Sequence, residues 1–351
     1  MDYLLIDKYH PHDYTQLFFN HDVCQSLCHL GRQAQDLPHL ILKGYLGSGR
    51  KTLVELLIKT QFHIDNLNLQ FQQVNIKHST KIITINIISC LYYQQINPSL
   101  NGVYDRFIIK DYISTVIRNK PINQLPYHLM VIEDADKLSL EAQQSLRRTM
   151  EKYINHVRFI FLTNLESELI APLSSRCVKF NLKSPTLTEI VDLLIHICQC
   201  EHITYHPVCL YQIAEYSQRQ TKTALNLLQK IYLQSPQSLQ HSHHLLNINQ
   251  FYDVEQIVDN IVHLLTHQLT SLTIVTGRQY LYDLLVHCLP PIDIMKKIFW
   301  RLMTLPSISQ DLQSKLITIL NQSEYQLKMG SKPIYHLEGY LINIGNSFGK
   351  V

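Results

Sequence analysis

No stretch of this 351-residue sequence approaches the ~18 uninterrupted apolar residues that a membrane span needs, because charges or histidines break every run. Its first residues, Met1-Asp2-Tyr3-Leu4-Leu5-Ile6-Asp7, lack both a basic segment and a long apolar stretch, so no signal peptide is expected. Glycine and proline are scarce, at 10 and 13 residues, which excludes a collagen-like or linker-dominated chain. Charge is scarce too, at 17% against a usual ~25%, and histidine (19 residues), Gln and Asn supply part of the missing polarity. A hydrophobic content of 46% excludes disorder for the bulk of the chain. Eight cysteines at irregular spacing read as reduced intracellular thiols, not as a disulfide framework. A net charge of only +3 does not announce a nucleic-acid binder, although basic residues can still cluster locally. At ~150 residues per domain, the length gives two or three domains.

What is present is an alternation of apolar strands and helices. Residues 39–43 (His-Leu-Ile-Leu-Lys) form an apolar run ending in Gly44-Tyr45-Leu46-Gly47-Ser48-Gly49. A helix-like segment follows, with Val54, Leu57 and Ile58 on one face. Further strand-like runs lie at 82–88, 129–132, 158–163 and 178–180. Between them helical spacing is clearest at Ala142, Leu146, Met150 and Tyr153, with Ser139 as N-cap. The pattern predicts a parallel sheet with helices on both faces. After about residue 183 the strand signal ends, and Thr186-Leu187-Thr188-Glu189 forms a capping box that opens a helical region reaching about Leu233. The stretch 234–250, rich in Gln, Ser and His, reads as a linker, with a metal role for His241, His243 and His244 as its alternative. From Phe251 onward the pattern is helical again.

The strand, glycine-rich turn and helix at 39–58 are arranged as a phosphate-binding loop would be. Glycines let the backbone approach phosphate, exposed N–H groups face it, and the helix N-terminus adds a positive field. Against the Walker pattern G-x-x-x-x-G-K-[ST], Gly44 and Gly49 are correctly spaced. Arg50 takes the lysine place, Lys51 takes the hydroxyl place, and Thr52 comes one residue late. The apolar run 129–132 ends in Glu133-Asp134-Ala135-Asp136, where a Walker B pair would hold Mg²⁺ and orient the attacking water. The usual order of Asp then Glu is reversed, and a shift of ~1 Å at such a site can cost ~10²-fold in rate. A basic turn and a solvated acidic strand end are the plainer readings of these two motifs. Cys198, Cys200, His202, His206 and Cys209 fit no common zinc-ligand spacing, and Cys24 and Cys28 read as buried helix thiols. Arg147, Arg148, Lys152 and Arg158 make a basic stretch that serves as a solvated face or as a DNA contact, with Arg147 and Arg148 also in reach of a subunit interface.

Beyond these motifs the sequence resembles a known family. Ser139-Leu140-Glu141-Ala142-Gln143-Gln144-Ser145-Leu146-Arg147-Arg148-Thr149-Met150-Glu151-Lys152-Tyr153 is similar to the central helix of the small subunits of replication factor C, the eukaryotic AAA+ sliding-clamp loader. Ser175-Arg176-Cys177 matches the family's Ser-Arg-Cys motif, and Asn164 falls where its first sensor residue sits. Asp7-Lys8-Tyr9-His10-Pro11 resembles the family's Lys-Tyr-Arg-Pro segment with His in place of Arg, and Asp36-Leu37-Pro38-His39-Leu40 also fits. Gly49-Arg50-Lys51-Thr52 is similar to the Gly-Lys-Lys-Thr of one paralogue, the subunit at the end of the five-membered spiral. The segments 97–99, 104–106, 287–291 and 330–338 fit the same paralogue.

The resemblance implies an α/β AAA+ P-loop domain over 1–183, an all-α lid over 184–235, a linker over 236–250 and an all-α collar over 251–351. It implies an adenine-nucleotide site, for ATP or ADP with Mg²⁺ admitted, drawn from several segments. These are Lys8, Tyr9 and Pro11; Gly44, Gly47, Ser48, Gly49, Arg50, Lys51 and Thr52; Glu133 and Asp134; Asn164; and Lys222, which stands where the family carries a second sensor arginine. Arg50, Lys51, the Glu133/Asp134 order and Lys222 depart from the family pattern, and all four weaken hydrolysis more than binding. Arg176 is implied as a finger into the neighbouring subunit's ATP site and Arg106 as a DNA-phosphate contact. The implied partners are the other subunits of a hetero-pentamer, the sliding clamp and primer–template DNA, with no membrane. The implied location is the nucleus, or a viral replication compartment if the chain is virus-encoded. The alternative is a subunit that hydrolyses ATP at its own P-loop; a purely structural collar scaffold would leave Arg176 without a use.

Overall fold

Two apolar sets alternate along the central strands and point to opposite sides of one sheet. The computed structural model describes residues 4–32, 37–64, 66–78, 81–118, 127–234, 239, 253–266, 271–305, 308–330 and 332–348. The chain divides into two compact units, Met1–Leu245 and Leu246–Val351. The first begins with α1 (Leu5–Lys8), α2 (His21–Arg32), β1 (Leu40–Lys43), α3 (Arg50–Phe62), β2 (Gln70–His78), β3 (Lys81–Ser89) and β4 (Tyr93–Ile96). It continues with α4 (Asp105–Phe107), α5 (Ser114–Arg118), β5 (His128–Ile132), α6 (Leu140–Lys152), β6 (Val157–Thr163), α7 (Ala171–Ser174) and β7 (Val178–Asn181). Three further helices, α8 (Leu187–Cys200), α9 (Pro207–Tyr216) and α10 (Thr221–Gln234), complete its described α-helices and strands.

The sheet has seven strands in the order β2-β3-β4-β5-β6-β1-β7. Strands β4, β5, β6, β1 and β7 are parallel, which is the expected sheet, and β2 and β3 extend it antiparallel. Only residues 79 and 80 separate β2 from β3, whereas a parallel crossover needs a dozen residues or more. The reading of 82–88 as one more parallel strand therefore gives way to a hairpin. Ile41, Met130, Ile132, Phe159 and Phe161 bury one face under α6 and the helical turns at 108–117. Leu40, Leu42, Leu129, Val131, Ile160 and Leu162 bury the other under α2 and α3. Period-two alternation with both sets apolar is what a sheet covered on both faces demands.

Local signals place the helices. Ser139 caps α6 by accepting from Ala142 N–H, and Ala142, Leu146 and Met150 line its buried face. Thr186 and Glu189 form the reciprocal capping box that starts α8. The segment expected as helix from Ile108 to Ile117 is a π-helical stretch, Ile108–Ile113, running into α5. The expected linker at 236–250, apart from Leu239, lies outside the described residues, as do Asp36, His241, His243, His244 and Ser331.

The second unit contains α11 (Asp253–Thr266), α12 (Ser271–Val286), α13 (Pro291–Met303), α14 (Gln310–Met329) and α15 (Pro333–Phe348). Its core gathers Val258, Ile261, Leu281, Ile294, Ile298, Leu316, Leu337, Tyr340 and Ile344. Ion pairs Arg278–Glu338, Lys297–Glu255 and Arg301–Asp259 join its helices. Among the described residues no helix is long and apolar enough to cross a membrane.

Candidate functional site

The glycine-rich loop joins β1 to α3. Gly44 N–H donates to Thr163 O at 3.1 Å, tying the start of the loop to β6. Gly47 and Gly49 have φ of +88° and +82°, left-handed values that suit glycine. A Cβ on Gly44 would stand 2.4 Å from Ser48 Oγ and 3.0 Å from Leu182 Cβ, so a side chain there would displace Ser48 and crowd the loop. Ser48 Oγ and Arg50 Nη1 are buried with no hydrogen-bond partner. A buried polar group left unpaired costs about 1–3 kcal/mol, and a phosphate oxygen would satisfy both of these. The loop therefore fits a nucleotide phosphate, with the N–H groups of the first turn of α3 beside it. Burial pulls the Arg50 guanidinium below its ordinary pKa, and the charges of Asp134, Asp136 and Glu133 oppose that pull.

Beside the loop lies a cavity of about 390 Å³. Lys8, Tyr9 and Pro11 from the N-terminal segment, Gly49 from the loop, Thr52 from the first turn of α3, and Lys222 from α10 all line it. Six expected nucleotide residues from three separated segments thus meet at one place. The sequence reading missed His10, Phe18, Phe19, Leu193, His196 and Leu225, which are among the other lining residues. Phe18 and His196 meet edge-on with ring centroids 5.5 Å apart. Lys8 Nζ and Tyr9 Oη both reach Glu201 Oε1, at 2.5 and 2.7 Å, and Leu5 N–H donates to Gln229 Oε1 at 3.0 Å. The N-terminal segment is thereby pinned to the helices α8–α10. Lys8 and Tyr9 hold the Glu201 carboxyl below its usual pKa, and burial first, then Glu201, pushes the Tyr9 hydroxyl up.

The acidic end of β5 faces a different opening, of about 600 Å³, lined by Lys51, Gln95, Asn97 and Glu133. Lys51 Nζ stands 2.7 Å from Glu133 Oε1, and Gln95 also donates to that oxygen. Asp134 sits at φ 46°, ψ 47°, a left-handed conformation for a non-glycine residue, and is bonded to Lys137 Nζ at 3.0 Å and Asn97 Nδ2 at 3.4 Å. Burial alone would raise the Asp134 pKa, but the hydrogen bond and charge of Lys137, with Asn97 and Arg50, outweigh it and hold the carboxyl below its usual range. Asn164, the expected sensor, donates from Nδ2 to Asp136 Oδ2 at 3.3 Å, while buried Asp136 Oδ1 has no partner. Asp136 was legible in the acidic run; Gln95, on a four-residue strand, gave no signal.

Two expected residues stand elsewhere on the unit. Arg176, two residues beyond α7, is 40% exposed; its Nη2 is 2.7 Å from Glu151 Oε1 and its Nη1 donates to Pro172 O at 2.5 Å. Arg147 shares Glu151, and the two arginines keep that carboxyl below its ordinary range, Arg147 foremost. Arg106 is half-exposed in α4 and pairs with Glu141 on α6 at 2.5 Å. In α8 and α9, Cys198 and Cys209 are buried and Cys200 is exposed. Among the described residues no group of three or more His, Cys, Asp or Glu side chains could hold a metal ion.

A mostly parallel sheet with a glycine-rich loop after β1, an acidic end on β5 and helices over the cavity beside the loop is the fold of an AAA+ protein. The fold is shared with the RuvB Holliday junction branch migration motor of Thermotoga maritima: TM-score 0.50, 13% identity, 73% of this chain and 80% of that one. Residues 254–350 match the family model "Replication factor C subunit 3, C-terminal domain", and residues 32–186 match "DNA polymerase III, delta subunit". Replication factor C subunit 5 of Oryza sativa subsp. japonica is 31% identical over 96% of this chain and 95% of its own length. Subunit 5 of Saccharomyces cerevisiae is 28% identical (97% and 98% covered) and subunit 3 of Homo sapiens 29% (96% and 94%). The chain belongs to the replication factor C family.

Proposed function

We propose that this chain is a clamp-loader subunit acting in DNA replication that binds adenine nucleotide, turns it over poorly, and lends Arg176 to the ATP site of the next subunit. The observation that carries the reading is an intact phosphate cradle beside a spent acidic end. The loop keeps its glycine geometry and its partnerless donors, whereas Glu133 is held by Lys51 and Gln95, and Asp134 by Lys137 and Asn97. A carboxylate committed to an ammonium is a poor water-orienting base, since both its charge and its position are taken. Nucleotide would be held by Tyr9, Pro11 and Lys222 around the cavity and by Ser48, Arg50 and Thr52 at the loop. Bound there, it supplies phosphate charge that draws the loop, the N-terminal segment and α10 together.

Arg176 belongs to the reading because a guanidinium on an exposed face can reach a neighbour's phosphoryl group, where fixed positive charge stabilises the charge that develops in transfer. Its pairing with Glu151 is between exposed side chains, so a neighbouring subunit's phosphate can compete for it. The lid is taken as 184–235 and the collar as 251–351, the latter assembling the subunits, with the sliding clamp and primer–template DNA as further partners in the nucleus. The purified chain tests the core of the reading. It should bind ADP or ATP near one to one with turnover well under ~1 s⁻¹. Turnover of a working enzyme, at or above that rate, sinks it.

A further inference from the structure

A Walker loop ordinarily holds its nucleotide together with Mg²⁺, clasped between the hydroxyl that follows the loop lysine and a carboxylate at the end of the acidic strand. In this chain those two places are Lys51 and Glu133, and their side chains are joined to each other at 2.7 Å. We infer that the chain binds adenine nucleotide without a divalent metal, the Lys51 ammonium standing in the place of Mg²⁺. The inference rests on the nucleotide reading above and specifies the ligand as metal-free nucleotide.

Four observations support it. A protonated lysine offers donors only, so it cannot ligate a cation and repels one at ion-pair distance. Glu133 Oε1 accepts from Gln95 as well as from Lys51, so two donors already share that oxygen. The neighbouring carboxylates are engaged too: Asp134 Oδ2 is bonded to Lys137 and Asn97, and Oδ2 of Asp136, 7% exposed, is bonded to Asn164. Three carboxylates here face three cations, Arg50, Lys51 and Lys137, which leaves no surplus negative charge to draw in a dication. Mg²⁺ demands near-octahedral oxygen ligation and gives up water reluctantly, and this cluster offers no net negative charge and holds one oxygen of each carboxylate against a donor. Toward the nucleotide, Arg50 supplies what the metal would have shared. Its buried Nη1 lacks a partner, and a planar guanidinium grips two phosphate oxygens where a lysine grips one.

The test is calorimetric titration of ADP into the full chain, in millimolar Mg²⁺ and again in EDTA. The affinity in EDTA should equal or exceed that in Mg²⁺, since free metal then only competes for the nucleotide. A loss of about tenfold or more in EDTA overturns the inference and leaves the nucleotide reading standing. Absence of ADP binding under both conditions overturns the nucleotide reading and the inference with it. Lys51→Thr, which restores the hydroxyl and releases Glu133, should convert the site to one that tightens at least fivefold when Mg²⁺ is added; unchanged indifference to metal removes Lys51 from this role. Electron paramagnetic resonance of the wild-type ADP complex with Mn²⁺ needs no variant. It should show only free and nucleotide-bound Mn²⁺, and a stoichiometric protein-bound signal overturns the inference.

Discussion

Gln143 offers a way to loosen Arg176 without touching it. Its side chain is 1% exposed on α6 and makes three hydrogen bonds to backbone. Nε2 donates to Leu138 O and to Glu168 O, both at 3.1 Å, and Oε1 accepts from Ile170 N–H at 2.8 Å. Ile170 starts α7, because the N–H groups of Leu173 and Ser174 both bond to its carbonyl, and Arg176 follows that helix directly. Gln143→Leu keeps the volume and removes all three bonds, so the loss comes from hydrogen bonding and not from a cavity. At ~0.5–1.5 kcal/mol net for each bond, the first unit should lose about 3 kcal/mol. Urea unfolding followed on the whole chain measures that loss. Amide exchange of 166–176, read by mass spectrometry, should speed up by as much as about a hundredfold if opening is local. In the assembled complex the variant should lower ATP hydrolysis at the neighbouring site, although Arg176 is present. A stability change under ~0.5 kcal/mol with unchanged exchange at 166–176 would refute the reasoning.

The remaining predictions concern charge. Arg106→Ala breaks only a half-exposed ion pair with Glu141, so stability should change by less than ~1 kcal/mol. If Arg106 neutralises a DNA phosphate, the same variant should weaken primer–template binding by the complex and lower its salt slope by about one; an unchanged slope removes that role. His39, 9% exposed, accepts from Phe159 N–H at 3.0 Å, and burial, then the Arg158 charge, pushes its pKa down to about 4. The unfolded chain takes up that proton near pH ~6.5 and the folded chain does not, so the stabilisation is full above that pH and is lost as pH falls toward 4. Between pH 7 and 5 the first unit should lose about 2 kcal/mol, a slope that His39→Gln should flatten in urea unfolding.

Much of this was legible because burial on both faces leaves a simple mark. The runs 129–132 and 159–162 are apolar throughout, and both became central strands. Strand β2, at the edge of the sheet, begins Gln-Phe-Gln-Gln, and β4, between β3 and β5, reads Tyr-Gln-Gln-Ile, so amide side chains replace the apolar signal and both strands were missed. Caps were legible, at Ser139 and Thr186, since each is settled within three residues of sequence. At the site, the residue types at 50, 51, 133 and 134 were readable as departures from a Walker pattern. What they touch was not. Gln95 reaches Glu133 only because β4 pairs with β5, and Lys8 reaches Glu201 across 193 positions of chain. Composition cannot report contacts that tertiary pairing creates.

The claim that matters most is that this chain serves a neighbour's chemistry more than its own. The direct measurement is clamp- and DNA-stimulated ATP hydrolysis by the assembled complex, with Arg176→Ala in this subunit alone. A finger of this kind is typically worth ~10³–10⁵ in rate, so the neighbouring site should fall silent while its nucleotide affinity changes far less. Arg176→Lys, which keeps the charge without the planar fork, should restore only part of the activity. Hydrolysis and clamp loading at wild-type levels in Arg176→Ala would contradict the account.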